Sequence, residues 1–381
     1  MLTVAMLMVS ALVALALPWL AVLMGLISFL FIQVPFTFEW LPGITFSWGL
    51  RHPGLAGTAA LLSAISLIYA RRMEKQQLSL FLLFFAGLIG FFGATAPLEV
   101  FFFLELMLFP AFYIILKEDP SAAFKYFGFM QVSSVLVLAG LVGQGMLASF
   151  ILTMGFSIKM GIFPFHSWLP DAHSQAPFPL SALLSGCVVA CGAYGILRFS
   201  TTPLLVLPLG VISAVYGAFM AASEKDVKRL LAHSTVSQMG YAAIALAVAP
   251  EFVVLFLVAH ALAKAGLFYA AGEIFSATGL RQIPDMGVAS KTLFVSASLS
   301  ILSMLGFPPL LGFFAEIGII TSSLSSMPAL VPFLLVAFFP TILYSERLIS
   351  IFFKRSERRV EAGLPVITAV LLLLGVFMWM Q

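Results

Sequence analysis

Five ionisable side chains sit in stretches that are otherwise almost pure hydrocarbon. Glu105 lies in VFFFLELMLFP (100–110), Lys159 in GFSIKMGIFP (155–164), His260 and Lys264 in HALAKAG (260–266), and Glu316 closes GFPPLLGFFAE (306–316). A charge in hydrocarbon costs about 2.5–3.5 kcal/mol even on a lenient insertion scale, so such residues persist where partners or water receive them. Carboxylate, amine and imidazole all bind protons reversibly, which makes proton or cation movement the chemistry these residues could share. Pairing Glu105 with Lys159 would favour both charged forms, while desolvation favours the neutral ones. That competition makes a switch, because separating the pair would let the lysine hand its proton on. The plainer alternative is a carboxyl bonded to a neighbouring hydroxyl that only fixes helix packing. His260 and Lys264 are four residues apart and project from one helix face. Imidazole, with an unperturbed pKa of about 6.5, is a natural relay between more tightly held protons.

A second group could give access to these five. Lys228 and His233 lie near the start of a helix that follows Asp226, and His233 either feeds protons inward or caps that helix. His166 and His173 flank WLPD (168–171) in what reads as a loop after Lys159, where interfacial anchoring competes with access. Glycine and proline interrupt the apolar runs beside both Lys159 and Glu316, and a broken helix frees carbonyls and admits water. Two such breaks at corresponding places in two halves of a chain point to inverted repeats with transport sites at the breaks. The only cysteines, Cys187 and Cys191, are one helical turn apart. They read as small packing residues, since an iron–sulfur or zinc site needs about four ligands. With no phosphate loop, dinucleotide fingerprint or basic nucleic-acid patch, no cofactor, metal or nucleic-acid partner is expected, and the chain itself holds no redox site.

The elements that position these residues follow from composition. The 381 residues are 62% hydrophobic and 9% charged, too apolar to build a water-soluble surface. The apolar runs are not the alternating segments of roughly ten residues that a membrane barrel needs, so the chain reads as an all-α polytopic membrane protein. The spans expected are 2–17, 19–34, 53–70, 78–95, 97–116, 122–142, 147–163, 178–199, 203–222, 230–249, 252–278, 292–307 continuing over 310–325 after a break, 329–350 and 362–380. The first lacks the basic flank of a cleavable signal and reads as a membrane helix. Of the 19 lysines and arginines, all but Arg51, Arg198, Lys159 and Lys264 then fall on one face, the cytoplasmic one by the positive-inside rule. Basic clusters such as Arg355, Arg358 and Arg359 need no role beyond this topology. Both termini are expected outside the cell membrane.

The segment KMGIFPFHSWLPDAHSQAPFPLSALL (159–184) resembles the signature of the antiporter-like subunits shared by three groups of complexes. These are respiratory complex I, membrane-bound hydrogenases with their sulfur-reducing relatives, and Mrp-type sodium/proton antiporters. FFFLELMLFP around Glu105, EKDVKRLLAHSTVSQMGY from Glu224, HALAKAGLFYAAG from His260 and GFPPLLGFFAE ending at Glu316 match as well. The resemblance implies about 14 transmembrane helices with two inverted five-helix repeats and breaks in the seventh and twelfth. It also implies a mid-membrane polar line in which Glu105 pairs with Lys159, His260 and Lys264 are central, and Glu316 stands at the far end. Within one membrane domain (1–381), the N-terminal helices occupy 1–70, the repeats 78–199 and 203–350, and a C-terminal helix 362–380.

The pattern is departed from at position 190, where family members usually carry a lysine in the eighth helix and this chain has Ala190. The sixth and seventh helices are also joined by only a few residues near Gln144, and no long lateral C-terminal helix is expected. The function expected is proton translocation, or sodium/proton antiport, by one subunit of a respiratory or antiporter complex. Its partners would be other membrane subunits, antiporter-like paralogues among them, a peripheral redox arm and the lipid bilayer. The alternatives are a structural or coupling subunit with an incomplete channel, and a stand-alone secondary transporter.

Overall fold

The computed structural model describes residues 2–32, 36–41, 44–50, 52–70, 73–287, 290–351, 370, 374 and 375. Arg51, Arg71, Arg72, Lys354, Arg355, Arg358, Arg359 and nearly all of the helix expected over 362–380 lie outside the described residues. The helices are α1 (Leu2–Ala14), α2 (Pro18–Ser28), α3 (Pro53–Ala70), α4 (Lys75–Gly93), α5 (Pro97–Leu116), α6 (Pro120–Val142), α7 (Gly145–Met160), α8 (Trp168–Gln175), α9 (Phe178–Leu183), α10 (Val189–Phe199), α11 (Leu207–Ser223), α12 (Val227–Val248), α13 (Pro250–Thr278), α14 (Lys291–Met304), α15 (Leu311–Ser326) and α16 (Val331–Ser350). Their starts reflect local chemistry. Proline opens α2, α5, α6 and α13, where its missing N–H costs nothing. Asp226 caps α12 by accepting from the Lys228 and Arg229 amides.

Among the described residues, eight helical stretches are long and apolar enough to cross a bilayer, and five shorter apolar helices join them. The chain is a multi-pass helical membrane protein. One antiparallel hairpin interrupts the helices, β1 (Phe36–Leu41) pairing with β2 (Ile44–Trp48) in a register from Phe36 opposite Trp48 to Leu41 opposite Ile44. The centre of the bundle is the eighth span, α9 to α10, together with α12 and α13, whose surfaces are buried almost all round. α12 is the polar member of this centre, with Ser234, Thr235, Ser237 and Gln238 all buried.

Both expected breaks are present. α7 stops at Met160 because Gly161 turns left-handed (φ 68°), and Pro164 comes after it across a cis peptide. The chain then passes through a 3₁₀ turn (Phe165–Ser167) into α8. The segment read as a loop around His166 and His173 is therefore the second half of the seventh span. A short helix with Pro170 inside and polar residues along it carries no apolar run to betray it. In the twelfth span, Gly306 (φ 61°) and a cis Pro308–Pro309 peptide separate α14 from α15. The eighth span holds a further irregularity, a π turn over Leu184–Val188 between α9 and α10.

Candidate functional site

The five residues lie within or at the ends of helix segments of the apolar spans. At about 1.5 Å per residue, Glu105 lies roughly 12 Å into α5, Lys264 about 21 Å into α13, and Lys159 about 21 Å into α7, one residue before its end. Lys159 (2% exposed) approaches the Met130 thioether at 3.6 Å. As the last-turn cation of α7 it faces the negative end of that helix dipole. The Ile158 carbonyl accepts both the Gly161 amide at 3.1 Å and the Trp168 indole N–H at 3.2 Å, so α8 is stitched to the end of α7. Glu105 is half-buried beside Ser134 of α6, whose buried hydroxyl is close enough to interact with the carboxyl. Glu105 and Lys159 act on one another electrostatically, but they do not form the direct ion pair expected from sequence. Met130 stands against the ammonium instead.

The eighth span lies between α7 and α13. Gly192 packs on the backbone of Met160, and Gly186 on that of Ala261. Ala190 is fully buried there, and neighbouring Cys191 is close enough to Lys159 to influence it electrostatically. Cys187 and Cys191 are free, buried thiols, as packing residues should be. The π turn aims the Ser185 carbonyl out of its own helix ladder toward His260, whose Nε2–H donates to it at 3.1 Å. Because a carbonyl only accepts, this bond fixes the neutral tautomer and leaves Nδ1 with a free lone pair, buried and unpartnered. Ser185 also bonds the Thr235 hydroxyl at 2.6 Å.

One turn along α13, Lys264 (0% exposed) donates to the Leu231 carbonyl at 3.2 Å and to the Ser234 hydroxyl. No carboxylate takes part. Glu316 borders a cavity of about 200 Å³ with Tyr241, Gly306 and Leu334. Its carboxyl packs so closely on Gly306 that a side chain there would overlap it. Tyr241, whose hydroxyl donates to the Leu334 carbonyl at 2.9 Å, and Tyr344 flank this carboxyl. Hydroxyls of Ser300, Ser303 and Ser345 are buried without partners among the described residues. Polar groups so placed are where a packed interior holds bridging water.

The access candidates separate. His166 is tied to α11 by the Tyr216 hydroxyl at 3.3 Å, and its ring stacks on Phe163. His173 is fully buried against Phe268 (ring centroids 5.1 Å), so interfacial anchoring does not describe it. His233 cannot cap α12, since Asp226 does; it lies 3.4 Å from Glu224, near enough to pair when protonated. Lys228, placed among the topology-setting cations by sequence, is 4% exposed and donates to the Ala176 carbonyl at 2.6 Å. Sequence reasoning missed Ser185, Ser234, Thr235 and Met130, although the hydroxyl-rich AHSTVSQ (232–238) inside a span was a usable signal.

Comparison with known proteins bears on the fold and the family. Residues 141–343 match the family described as NADH:quinone oxidoreductase/Mrp antiporter, TM. NAD(P)H-quinone oxidoreductase chain 4-2 of Synechocystis sp. is 29% identical over 358 residues, covering 81% of this chain and 64% of that one. NADH-quinone oxidoreductase subunit M of Escherichia coli (strain K12) is 30% identical over 360 residues, covering 78% of this chain and 70% of its own length. The chain thus spans about two thirds of the curated relatives it matches. A chain of respiratory complex I from Thermus thermophilus with bound NADH superposes with a TM-score of 0.87 at 26% identity, over 99% of this chain and 95% of that one. A family match over half the sequence, a 30% identical relative and a whole-chain structural likeness lead to one conclusion: this chain belongs to the membrane-spanning, antiporter-like subunits of the NADH:quinone oxidoreductase and Mrp antiporter family.

Proposed function

We propose that the chain is a proton-translocating subunit of a multi-subunit membrane complex, carrying protons along Glu105, Lys159, His260, Lys264 and Glu316. The observation that carries this reading is Lys264, an amine wholly inside the protein and held by a hydroxyl and a carbonyl rather than by a carboxylate. A structural lysine in hydrocarbon is normally neutralised by an acid, whereas one held by neutral acceptors can gain and lose a proton as its surroundings change. His260, with a free Nδ1, is one turn away on the same face. The chain's motifs offer no nucleotide or redox site, and each charge moved against 100 mV requires about 2.3 kcal/mol, so the drive comes from partner subunits or an ion gradient. In this reading the basic end faces the cytoplasm, both termini lie outside, and 78–199 and 203–350 are inverted repeats.

Ala190 favours one other reading, a coupling subunit whose channel is incomplete. Replacing Lys159 with Met in the assembled complex and measuring pumping in vesicles separates the two. Translocation predicts loss of this subunit's contribution with assembly intact. Unchanged pumping in the intact complex supports the coupling role.

A further inference from the structure

One cavity lies apart from the line that runs from Glu105 to Glu316. A vestibule of about 520 Å³ opens at the basic end of the bundle, where α3, α8, α12 and α13 meet, and its wall includes Tyr69, Glu118, Gln175 and Glu273. Lys228 also lines it. From the first turn of α12 this buried ammonium reaches across to the Ala176 carbonyl at 2.6 Å and lies 4.2 Å above the Phe178 ring. Those contacts close the corner between α8 and α9. Arg281, Asp226 and Glu118, the last also on the vestibule wall, act electrostatically on the same ammonium.

The protein behind this corner is polar. Lys228, Leu231 and Ser234 recur at three-residue intervals and so lie along one side of α12. The last two supply the carbonyl and hydroxyl that hold Lys264. Six residues of helix separate Lys228 from Ser234, about 9 Å along the axis. Beside this stretch stands His173, fully buried, with both ring nitrogens unpartnered among the described residues. Lys228 and Lys264 both act on it electrostatically. Its ring rests on Phe268, one turn beyond Lys264 on α13.

We propose that this vestibule is a proton-uptake mouth, that Lys228 is its gate, and that His173 passes protons from it directly to Lys264, joining the relay beyond Ala190. The proposal rests on the translocation reading. In the step, a proton from water in the vestibule adds to one nitrogen of the neutral His173 ring, and the proton on the other nitrogen moves to the neutral Lys264 amine. The ring is left as its other tautomer and resets by flipping; one proton has moved inward and nothing else is consumed. With its ammonium on Ala176, Lys228 repels protons from the corner, and swinging toward Glu118 opens it. A lysine at position 190 is not needed for protons taken up this way.

The test uses the assembled complex in vesicles carrying Gln175→Cys, on the vestibule wall. A bulky membrane-impermeant maleimide should attach from the basic face only, the native Cys187 and Cys191 being buried. Attachment should lower this subunit's share of pumping about tenfold or more relative to the same unlabelled variant, and His173→Phe should do likewise, since losing a proton carrier costs roughly 100-fold or more. Full pumping by the labelled protein, or labelling from the opposite face, overturns the mouth. Full pumping by His173→Phe overturns the branch to Lys264. Glu316→Gln, which lies beyond Lys264 on the line, measured alongside keeps the failures apart: if it stops pumping while the plug does not, the relay stands and this inlet falls, and if it pumps normally, the underlying reading falls and takes the inlet with it.

Discussion

His260 shows how a single hydrogen bond can assign a role. Its Nε2–H is committed to the Ser185 carbonyl, so only Nδ1 can receive a proton. His260→Gln keeps an N–H donor for that carbonyl but has no titrating nitrogen. It is expected to assemble normally and to lower this subunit's share of pumping by roughly 100-fold, while His260→Phe should also reduce thermal stability by about 1–3 kcal/mol through an unpaired buried carbonyl. Proton flux and thermal unfolding of the complex read the two effects separately. Wild-type flux in His260→Gln would confine this residue to packing. The five charged or titratable residues were legible in the sequence because a charge inside an apolar run is costly enough to need a reason. Ser185, Ser234 and Met130 were not, since a neutral hydroxyl or thioether in a helix costs little and its partner is chosen by tertiary packing.

At the scale of elements, the breaks were legible because glycine and proline interrupt helices locally. The path of the chain beyond a break is set by packing, and so α8 was read as a loop and the π turn over Leu184–Val188 went unseen. The direct Glu105–Lys159 bridge was likewise a question of helix placement, which spacing does not fix. Gly161 offers a test of the first break. It has φ 68°, and an added Cβ would come within 2.6 Å of Leu169 on α8, whereas Gly279, with φ 70°, opens onto free space beyond α13. Gly279→Ala should cost about 1–2 kcal/mol from backbone strain alone and leave pumping unchanged. Gly161→Ala should cost more, add displacement of α8 from α7, and lower pumping. Equal effects on the unfolding temperature and on flux would show that the break does not position Lys159.

Over the whole molecule, charge gathers at one end. Lys117 pairs with Glu74, Lys125 and Arg229 share Asp171, Arg229 reaches Glu224, and Arg281 pairs with Asp226. The first pair links the end of α5 to the start of α4, and the others tie α6, α8, α12 and the segment after α13 together where the basic residues were threaded from sequence. The sidedness of the helices was legible because cations resist transfer across the membrane. Exposed Lys225 at this end and exposed Thr201 between α10 and α11 make the orientation testable. An impermeant thiol reagent applied from the cytoplasmic side should label Lys225→Cys, and one applied from outside should label Thr201→Cys. The reverse pattern would invert the topology.

The central claim is that one proton path runs through Glu105, Lys159, His260, Lys264 and Glu316. Members of one path lose function as a unit, so combining two lesions should add nothing to either alone. The most direct measurement is therefore proton flux per turnover of the assembled complex in vesicles carrying Lys264→Met, Glu316→Gln and the two together. A single path predicts that each variant alone removes the same share of flux and that the double variant matches the singles. Wild-type flux in either single variant, or a double variant losing the sum of two partial effects, would contradict it.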